Sequence, residues 1–196
     1  MAKLADDVLD TIFRKGRTYN GFTDAPFTAA DADSIWELMK FGPTSANLLP
    51  ARLVWCFSQE SKEKLAALSS GTNGEKIVKA PATVIIGMDT NFHEQAPILF
   101  PHAPGVKDWF PDPAAREIMA LRNSSLQGGY FILAARALGF DTGPMSGFDN
   151  AAVDAAFFAD TPAVKSNFIS TIGVGDPSTI FERLPRPPFE TFNTIV

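Results

Sequence analysis

The sequence predicts an α+β fold in which helices cover a mixed β-sheet. Residues 82–88 form an apolar, β-branched run with little polar alternation, which is typical of a strand covered on both faces. A long helical pattern runs from Asn123 into a Gly/Pro turn that ends near residue 149. Helices outnumber strands and do not alternate with them regularly, and no strand–GxGxxG–helix occurs, so a Rossmann unit is not expected.

Composition and charge indicate one domain over residues 1–196. The chain is 45% hydrophobic and 20% charged, which is enough apolar material for one core. A net charge of −5 argues against nucleic acid as a partner, because such binding needs concentrated Lys and Arg. Cys56 is the only cysteine, which excludes an intrachain disulfide and favours a reducing compartment. Because no run of about 18 apolar residues and no apolar leader occur, we expect a cytoplasmic protein with no membrane partner.

Local patterns predict the other elements. Thr28 is a predicted N-cap, with Asp31 three residues later as in a capping box. Ile35, Leu38 and Met39 are then expected to face inward. We also predict a first helix carrying Leu4, Val8, Ile12 and Phe13, strands over residues 51–57 and 167–174, and helices over residues 27–41, 61–68 and 150–158. Residues 69–74 are expected to form a polar turn.

The long helix has two contrasting faces. One carries apolar residues at helical spacing and is expected to face the core: Leu126, Tyr130, Leu133 and Ala137. The other is small and predicts a close approach of another backbone: Ser124, Ser125, Gly128 and Gly129. We expect the helix to end at Gly139.

Two segments lack a clear period. Residues 91–113 contain five prolines, both histidines and several aromatic side chains, which is typical of a lid or binding loop. Residues 176–196 contain four prolines and two arginines, and are expected to dock on other structure. Two histidines without a carboxylate cluster at ligand spacing give no metal site. Ser146 lacks the first glycine of a Gly-x-Ser-x-Gly elbow, so a serine hydrolase is not favoured.

Polar and cationic groups recur at separate turns of the chain: Arg14, Arg17, Thr44, Ser45, Asn47, Asn73, Lys76, Ser146, Gly147, Arg183 and Arg186. Taken together, they suit a flavin, whose phosphate needs cations and whose ring needs an apolar slot with a few polar contacts. Residues 42–50 (Gly-Pro-Thr-Ser-Ala-Asn-Leu-Leu-Pro) resemble the Pro-Ser-x-x-Asn-x-Gln-Pro element of the FMN-dependent nitroreductase-like family, with Leu49 in place of glutamine. Residues 143–149 (Gly-Pro-Met-Ser-Gly-Phe-Asp) resemble the family's Pro-x-x-Gly-Phe turn, whose backbone lies over flavin N5. The family's Arg-Arg-Ser-x-Arg element becomes Gly16-Arg17-Thr18-Tyr19-Asn20.

The resemblance implies a three-layer sandwich with a mixed, mostly antiparallel sheet, and a homodimer that exchanges its C-terminal arms and holds FMN at its interface. The small face of the long helix, with Gly128 and Gly129, is then the predicted twofold contact of this dimer. It also implies ping-pong hydride transfer through flavin N5 with NADPH or NADH as the donor. The implied cofactor-binding residues are Arg17, Thr18, Asn20, Pro43, Thr44, Ser45, Asn47, Asn73, Lys76, Pro144, Met145, Ser146, Gly147 and Arg186, with Arg183 as the other candidate near the C-terminus. The backbone of Ser146 and Gly147 is expected to face N5, and no catalytic side chain is assigned.

Several separate blocks are similar to the malonic semialdehyde reductase branch of this family. They lie in residues 42–47, 99–102, 122–125, 141–149, 165–167 and 173–176. This resemblance implies reduction of 3-oxopropanoate, whose carboxylate would need a cation such as His102 or Arg52. Trp109 and Phe110 are candidate lid residues, with surface packing of the loop as the alternative. A broad nitroaromatic or quinone reductase, and a flavin-binding module without turnover, stay open as alternative functions.

Overall fold

The computed structural model describes residues 3–196; Met1 and Ala2, at the start of the predicted first helix, lie outside the described residues. Its centre is a four-stranded sheet in the order β1-β2-β4-β3. The strands are β1 (Ala51–Cys56), β2 (Ala82–Asp89), β3 (Asp141–Met145) and β4 (Val164–Gly173). All three strand pairs are antiparallel. The bridge between Thr18 and Thr142 is the one parallel pairing within residues 3–196, and it makes the sheet mixed. The α+β prediction is confirmed.

Helices flank this sheet. The α-helices are α1 (Asp6–Leu9), α2 (Ala29–Met39), α3 (Gln59–Ala66), α4 (Asn73–Lys79), α5 (Ala96–Leu99), α6 (Pro113–Ala137), α7 (Asn150–Phe157) and α8 (Phe189–Phe192). A π-helical turn (Asp10–Arg14) extends α1, and 3-10 turns occupy Ser45–Asn47, Phe92–Gln95, Pro104–Trp109 and Pro177–Thr179. Across residues 3–196, no helix combines the length and apolarity that a membrane span requires.

The predicted central strand is confirmed. In β2 every residue except the last is buried, because β1 and β4 flank it and helices cover both faces. The predicted strand over 167–174 is longer in the structure, since β4 begins at Val164. Helix α4 was not predicted, because Asn73 and Gly74 begin a helix within what the sequence presents as a turn.

Helix α2 begins as predicted. The Thr28 hydroxyl accepts a hydrogen bond from the Asp31 N–H, and the Asp31 carboxylate accepts one from the Thr28 N–H, which completes a capping box. Ile35 and Met39 are fully buried, but Leu38 is exposed, so its predicted inward position is wrong. Leu38 lies about 100° around the helix from Met39, which turns it away from the sheet.

Helix α6 begins ten residues earlier than predicted, and its orientation is the reverse of the predicted one. Leu126 is 48% exposed and Tyr130 is 39% exposed, so the predicted apolar core stripe is wrong. The buried face is the small and polar one: Ala120, Asn123, Ser124, Gln127, Gly128, Phe131, Ala134 and Ala135. The reason is packing, because the Phe168 ring lies so close that a Cβ on Gly128 would be 2.5 Å from its atoms.

This contact also corrects the predicted role of the two glycines. Gly128 faces Phe168 of the same chain and is therefore not available for a twofold helix contact. Gly129 has no atom within 4 Å of its Cβ direction and lies on the outward face. The predicted helix end is confirmed, since Gly139 adopts a φ of 84° directly after the Leu138 C-cap.

Residues 91–113 are more ordered than predicted. Three short helices occupy this segment, and Phe92, Ala96 and Val106 are buried in a small apolar cluster with Leu48 and Met88. The prediction of a loop without regular structure is therefore wrong. Apolar side chains recur at irregular intervals here, so no period could reveal the short helices.

We expect Gly128→Ala to lower the free energy of unfolding by about 1–3 kcal/mol, because the added methyl overlaps the Phe168 ring. Gly129→Ala is the matched control. It adds the same methyl on the outward face and should lose less, or gain up to about 1 kcal/mol from helix propensity. Urea denaturation measures both, and equal losses would contradict the assigned orientation of α6.

Candidate functional site

The segment after α1 lies against strand β3. Thr18 forms a bridge with Thr142, and the Tyr19 N–H donates to the Thr142 carbonyl at 3.1 Å. The aromatic ring of Tyr19 packs on Gly175, where a Cβ would overlap it. These contacts fix Arg17 and Thr18 at the edge of the sheet.

The C-terminal segment returns to the same place. The Asp176 N–H donates to the Gly21 carbonyl at 3.1 Å, and Asn20 Nδ2 donates to the Thr179 carbonyl at 2.9 Å. Arg17 donates to the Phe181 carbonyl, and Arg183 donates to the Gly16 carbonyl at 3.0 Å. Together the two segments enclose a cleft of ≈ 410 Å³. We call it the arginine cleft, and it is lined by Gly16, Arg17, Thr18, Arg136, Phe181, Glu182, Arg183, Leu184 and Arg186.

The arginine cleft concentrates positive charge in an acidic chain. Four of the eight arginines line it, together with one carboxylate, Glu182. Each of the four guanidinium groups donates to a backbone carbonyl, and within residues 3–196 none lies within salt-bridge distance of a carboxylate. Carbonyl acceptors leave the positive charges in place, so the cleft is suited to bind an anion.

Arg136 reaches the cleft from the last turn of α6, and Asp141 lies nearby on β3. Burial lowers the pKa of the Arg136 guanidinium, while the Asp141 charge acts to raise it. Burial raises the pKa of the Asp141 carboxyl, although the Gly175 N–H bond to it and the Arg136 charge act to lower it. The two charges therefore favour each other, although no hydrogen bond or salt bridge joins the two side chains within residues 3–196.

The turn that follows β3 contacts α4. The Gly147 carbonyl accepts from the Ser70 N–H at 2.9 Å and from Asn73 Nδ2 at 3.1 Å. A Cβ at Gly147 would lie 2.8 Å from Asn73 Nδ2, so a side chain there would disturb this bond. The sequence-predicted residues Ser146, Gly147 and Asn73 are thus brought together. Lys76, one turn further along α4, is half-buried and has no carboxylate partner in the described part of the chain.

Two backbone donors in this turn are free. Neither the Ser146 N–H nor the Gly147 N–H donates to an acceptor among residues 3–196. Ser146 is exposed and Pro144, Met145 and Gly147 are half-buried, so the turn forms part of the surface next to strand β3. Such paired donors can bind an electron-rich group of a ligand.

The loop over residues 43–50 is held in a strained conformation. Ala46, Asn47 and Leu49 have φ values of 47°, 54° and 39°, which non-glycine residues rarely adopt. The Ser45 N–H donates to Asn123 Oδ1 at 2.7 Å, and Asn47 Nδ2 donates to the Leu99 carbonyl at 2.9 Å. These bonds hold the loop in its strained conformation. Strained backbone that is held by its surroundings is common at functional sites.

The loop and the arginine cleft lie at opposite edges of the sheet. The loop precedes the edge strand β1, whereas the arginine cleft and residues 144–147 flank the other edge strand, β3. Three strand spacings, roughly 14 Å, separate the two edges. Across residues 3–196, no hydrogen bond joins the loop residues Pro43, Thr44, Ser45 and Asn47 to the remaining sequence-predicted residues.

The sequence-predicted substrate residues lie on the loop side of the molecule. Arg52 donates to the Leu49 and Ala51 carbonyls and pairs with Asp89 at 2.7 Å, so most of its donors are engaged. His102 is exposed and packs on the Phe100 ring, with the ring centroids 3.9 Å apart. Trp109 is 65% exposed, whereas Phe110 packs on the Phe92 ring.

Sequence reasoning missed Arg136 and the two amides of α6. Gln127 Oε1 accepts from the Ala51 N–H at 2.8 Å, and Asn123 accepts from the strained loop, so both orient the segment before β1. Their signal was two amides four residues apart on a helix, which indicates a shared face. An arginine in the last turn of a helix, as at Arg136, ordinarily indicates only a favourable interaction with the helix dipole.

The raised pKa of Asp141 makes stability depend on pH. The folded chain retains a proton at Asp141 at pH values where the unfolded chain has lost it, so this residue lowers the free energy of unfolding as pH rises through the window just above 3.8. Asp141→Asn cannot lose a proton, and its stability relative to the native chain should therefore rise between about pH 4 and pH 6. Urea denaturation at both pH values tests this. Asp24→Asn makes the same change at an exposed site and is the matched control, and an equal rise in both variants would contradict the role assigned to Asp141.

Comparison with known proteins identifies the family. The sequence model described as "Nitroreductase family" matches residues 14–176. A protein of Caulobacter sp. (strain K31), provisionally named NADH dehydrogenase/NAD(P)H nitroreductase, is 57% identical over 196 residues, with 100% of both chains covered. A Bacillus subtilis nitroreductase structure matches with a TM-score of 0.87 at 24% identity, covering 98% of this chain and 100% of that chain. A nitroreductase of Exiguobacterium sibiricum in complex with FMN matches with a TM-score of 0.87 at 19% identity, covering 100% of both chains. The chain belongs to the nitroreductase family.

Proposed function

We propose that this chain is an FMN-dependent NAD(P)H oxidoreductase of the cytoplasm. The observation that carries the proposal is the arginine cleft, whose Thr18 bridges to strand β3, the strand that leads into the free N–H groups of Ser146 and Gly147. About five residues of extended chain lie between Thr142 and Gly147, a span of roughly 16 Å. A site with cations at one end and backbone donors at the other suits an elongated cofactor with a terminal phosphate.

The residues present fit FMN. Arg17, Thr18 and Arg186, which line the arginine cleft, would hold the phosphate together with the neighbouring Asn20. Among the residues that the structure describes, the guanidinium groups have no carboxylate partner that would neutralise them. Pro144, Met145 and Gly147 would support the ring, while Asn73 and the cationic Lys76 approach from α4. Bound FMN supplies the capacity to exchange a hydride with NADPH or NADH. The protein supplies position and fixed positive charge, and no side-chain base is assigned.

We further propose that the site is completed by a second copy of the chain. The loop residues Pro43, Thr44, Ser45 and Asn47 lie at the far sheet edge, so one chain cannot bring them to its own arginine cleft without refolding. In a twofold dimer, each loop would instead approach the cleft of the other copy. The outward face of α6, with exposed Leu126 and Tyr130, provides apolar surface for this contact.

The C-terminal segment supports an exchanged arm. Six large apolar side chains of this segment are exposed: Phe181, Leu184, Phe189, Phe192, Ile195 and Val196. A groove of ≈ 570 Å³ runs along the free edge strand β1 and helix α2, and it includes Trp36, Leu53 and Trp55. We propose that the arm of the second copy fills this groove, which would cover the exposed edge of the sheet.

The acceptor we propose is malonic semialdehyde (3-oxopropanoate), reduced to 3-hydroxypropanoate. The six blocks of sequence that are similar to the malonic semialdehyde reductase branch, which is associated with pyrimidine degradation, support this choice. The name of the Caulobacter relative instead favours a nitroaromatic acceptor. His102 and Arg52 are the candidate carboxylate contacts, and Trp109 and Phe110 are the candidate covering residues. Arg52 bonds the Leu49 carbonyl, and Phe110 packs in the same apolar cluster as Leu48, so both lie beside the loop that a second copy would bring to the flavin.

Flavin spectra test the central proposal. The purified protein should bind FMN, and anaerobic NADPH or NADH should bleach the visible absorbance of the oxidised flavin. Steady-state turnover is then compared for 3-oxopropanoate, a nitroaromatic and a quinone. Failure to bind FMN would overturn the proposal, and bound FMN that stays oxidised would leave only a binding module. Faster turnover of the nitroaromatic would replace the proposed acceptor.

Subunit complementation tests the shared site. Arg17→Ala and Asn47→Ala should each reduce FMN-dependent activity, because they remove contacts from opposite sides of the site. Co-expression would place both changes in one site of a mixed dimer and leave the other site intact, so activity should recover to about a quarter of the native level if copies mix at random. Co-expression of Arg17→Ala with Lys76→Ala is the control, since both lie in the same half-site. No recovery in the first pair would contradict the shared site.

A further inference from the structure

We infer that Arg136 binds the flavin phosphate and takes the place of the arginine that is absent at Gly16. This inference rests on the proposed FMN site. It adds to the phosphate-binding cations a residue of helix α6 that lies 120 positions after Gly16 in the sequence.

The steric evidence is direct. A Cβ built on Gly16 would lie 2.6 Å from Arg136 Nε and 2.7 Å from Arg136 Nη1. The Arg136 guanidinium thus fills the space into which a side chain at position 16 would project. Gly16 is not among the glycines with positive φ, so its backbone does not require glycine. Room for Arg136 is what glycine provides at this position.

The hydrogen bonds of Arg136 leave donors for a ligand. Nη1 donates to the Ile12 carbonyl at 2.9 Å, which anchors the guanidinium against the segment before the cleft. Nε is buried and has no acceptor among residues 3–196. A guanidinium has five N–H donors, and a buried donor without an acceptor is costly. An anion in the cleft would provide the acceptors that the protein lacks.

A purely structural role explains these contacts less well. An arginine in the last turn of a helix commonly bonds the terminal carbonyls of that helix. Arg136 instead bonds Ile12, outside α6, and its side chain lines the arginine cleft with Arg17, Arg183 and Arg186. The Arg183 charge lies close enough to disfavour the Arg136 charge, and Glu182 and Asp141 are the acidic groups nearby. Such crowding of positive charge is relieved when a phosphate dianion binds.

The test compares FMN with riboflavin, which has the same ring and no phosphate. Flavin fluorescence is titrated with the flavin-free full-length chain and its Arg136→Gln variant. The dissociation constant for FMN should rise roughly 10- to 100-fold, the loss typical of a charge-assisted hydrogen bond, while that for riboflavin stays the same. Arg14→Gln is the control, because Arg14 lies near the cleft in sequence but pairs with Asp6 and Asp10.

Gly16→Ala provides a second, independent variant. Its methyl would displace the Arg136 guanidinium, so it should weaken FMN binding selectively even though every arginine is retained. The double variant Gly16→Ala/Arg136→Gln should be no weaker than Arg136→Gln alone, because both changes remove one contact. Unchanged FMN affinity, equal weakening of FMN and riboflavin, or additive effects would each overturn the inference while leaving FMN binding by the native chain intact. Absence of FMN binding by the native chain would instead refute the proposed function, and this inference with it.

Discussion

The close contact between Gly128 and the Phe168 ring sets the position of helix α6, and the predicted site depends on that position. With its small face against the sheet, α6 directs Asn123 at the strained loop, Gln127 at the start of β1, and Arg136 into the arginine cleft. These three contacts are spread over about four helical turns, roughly 20 Å. One rigid helix therefore contacts the loop at one sheet edge and the arginine cleft near the other.

Sequence patterns were reliable where one physical requirement dominated. The burial of β2 on both faces leaves an apolar run, and the Thr28–Asp31 capping box needs only local geometry. The predicted orientation of helix α6 is wrong because the large apolar side chains of Leu126 and Tyr130 point outward, while glycine and serine pack inward. Hydrophobicity alone favours the opposite orientation. The choice between the two orientations depends on the Phe168 ring, which lies on a strand and is 40 residues after Gly128 in the sequence.

The candidate site likewise contains some residues that local sequence identifies and others that only the fold reveals. Local turn chemistry singled out Ser146, Gly147 and Asn73, and the fold brings them into contact. Arg136 could not be found from local sequence, because its meaning depends on the space left by Gly16. The loop over residues 43–50 was also identified locally, but its place at the opposite sheet edge follows only from the strand order. A site divided between two edges is what a dimeric arrangement would need.

The most direct measurement is a crystal structure of the protein grown with FMN. The expected result places the phosphate within hydrogen-bond distance of Arg17 and Arg136, the ring over Ser146 and Gly147, and the loop over residues 43–50 of a second copy against the same flavin. A phosphate bound outside the arginine cleft, or a site completed by the loop of the same chain, would contradict the proposed arrangement.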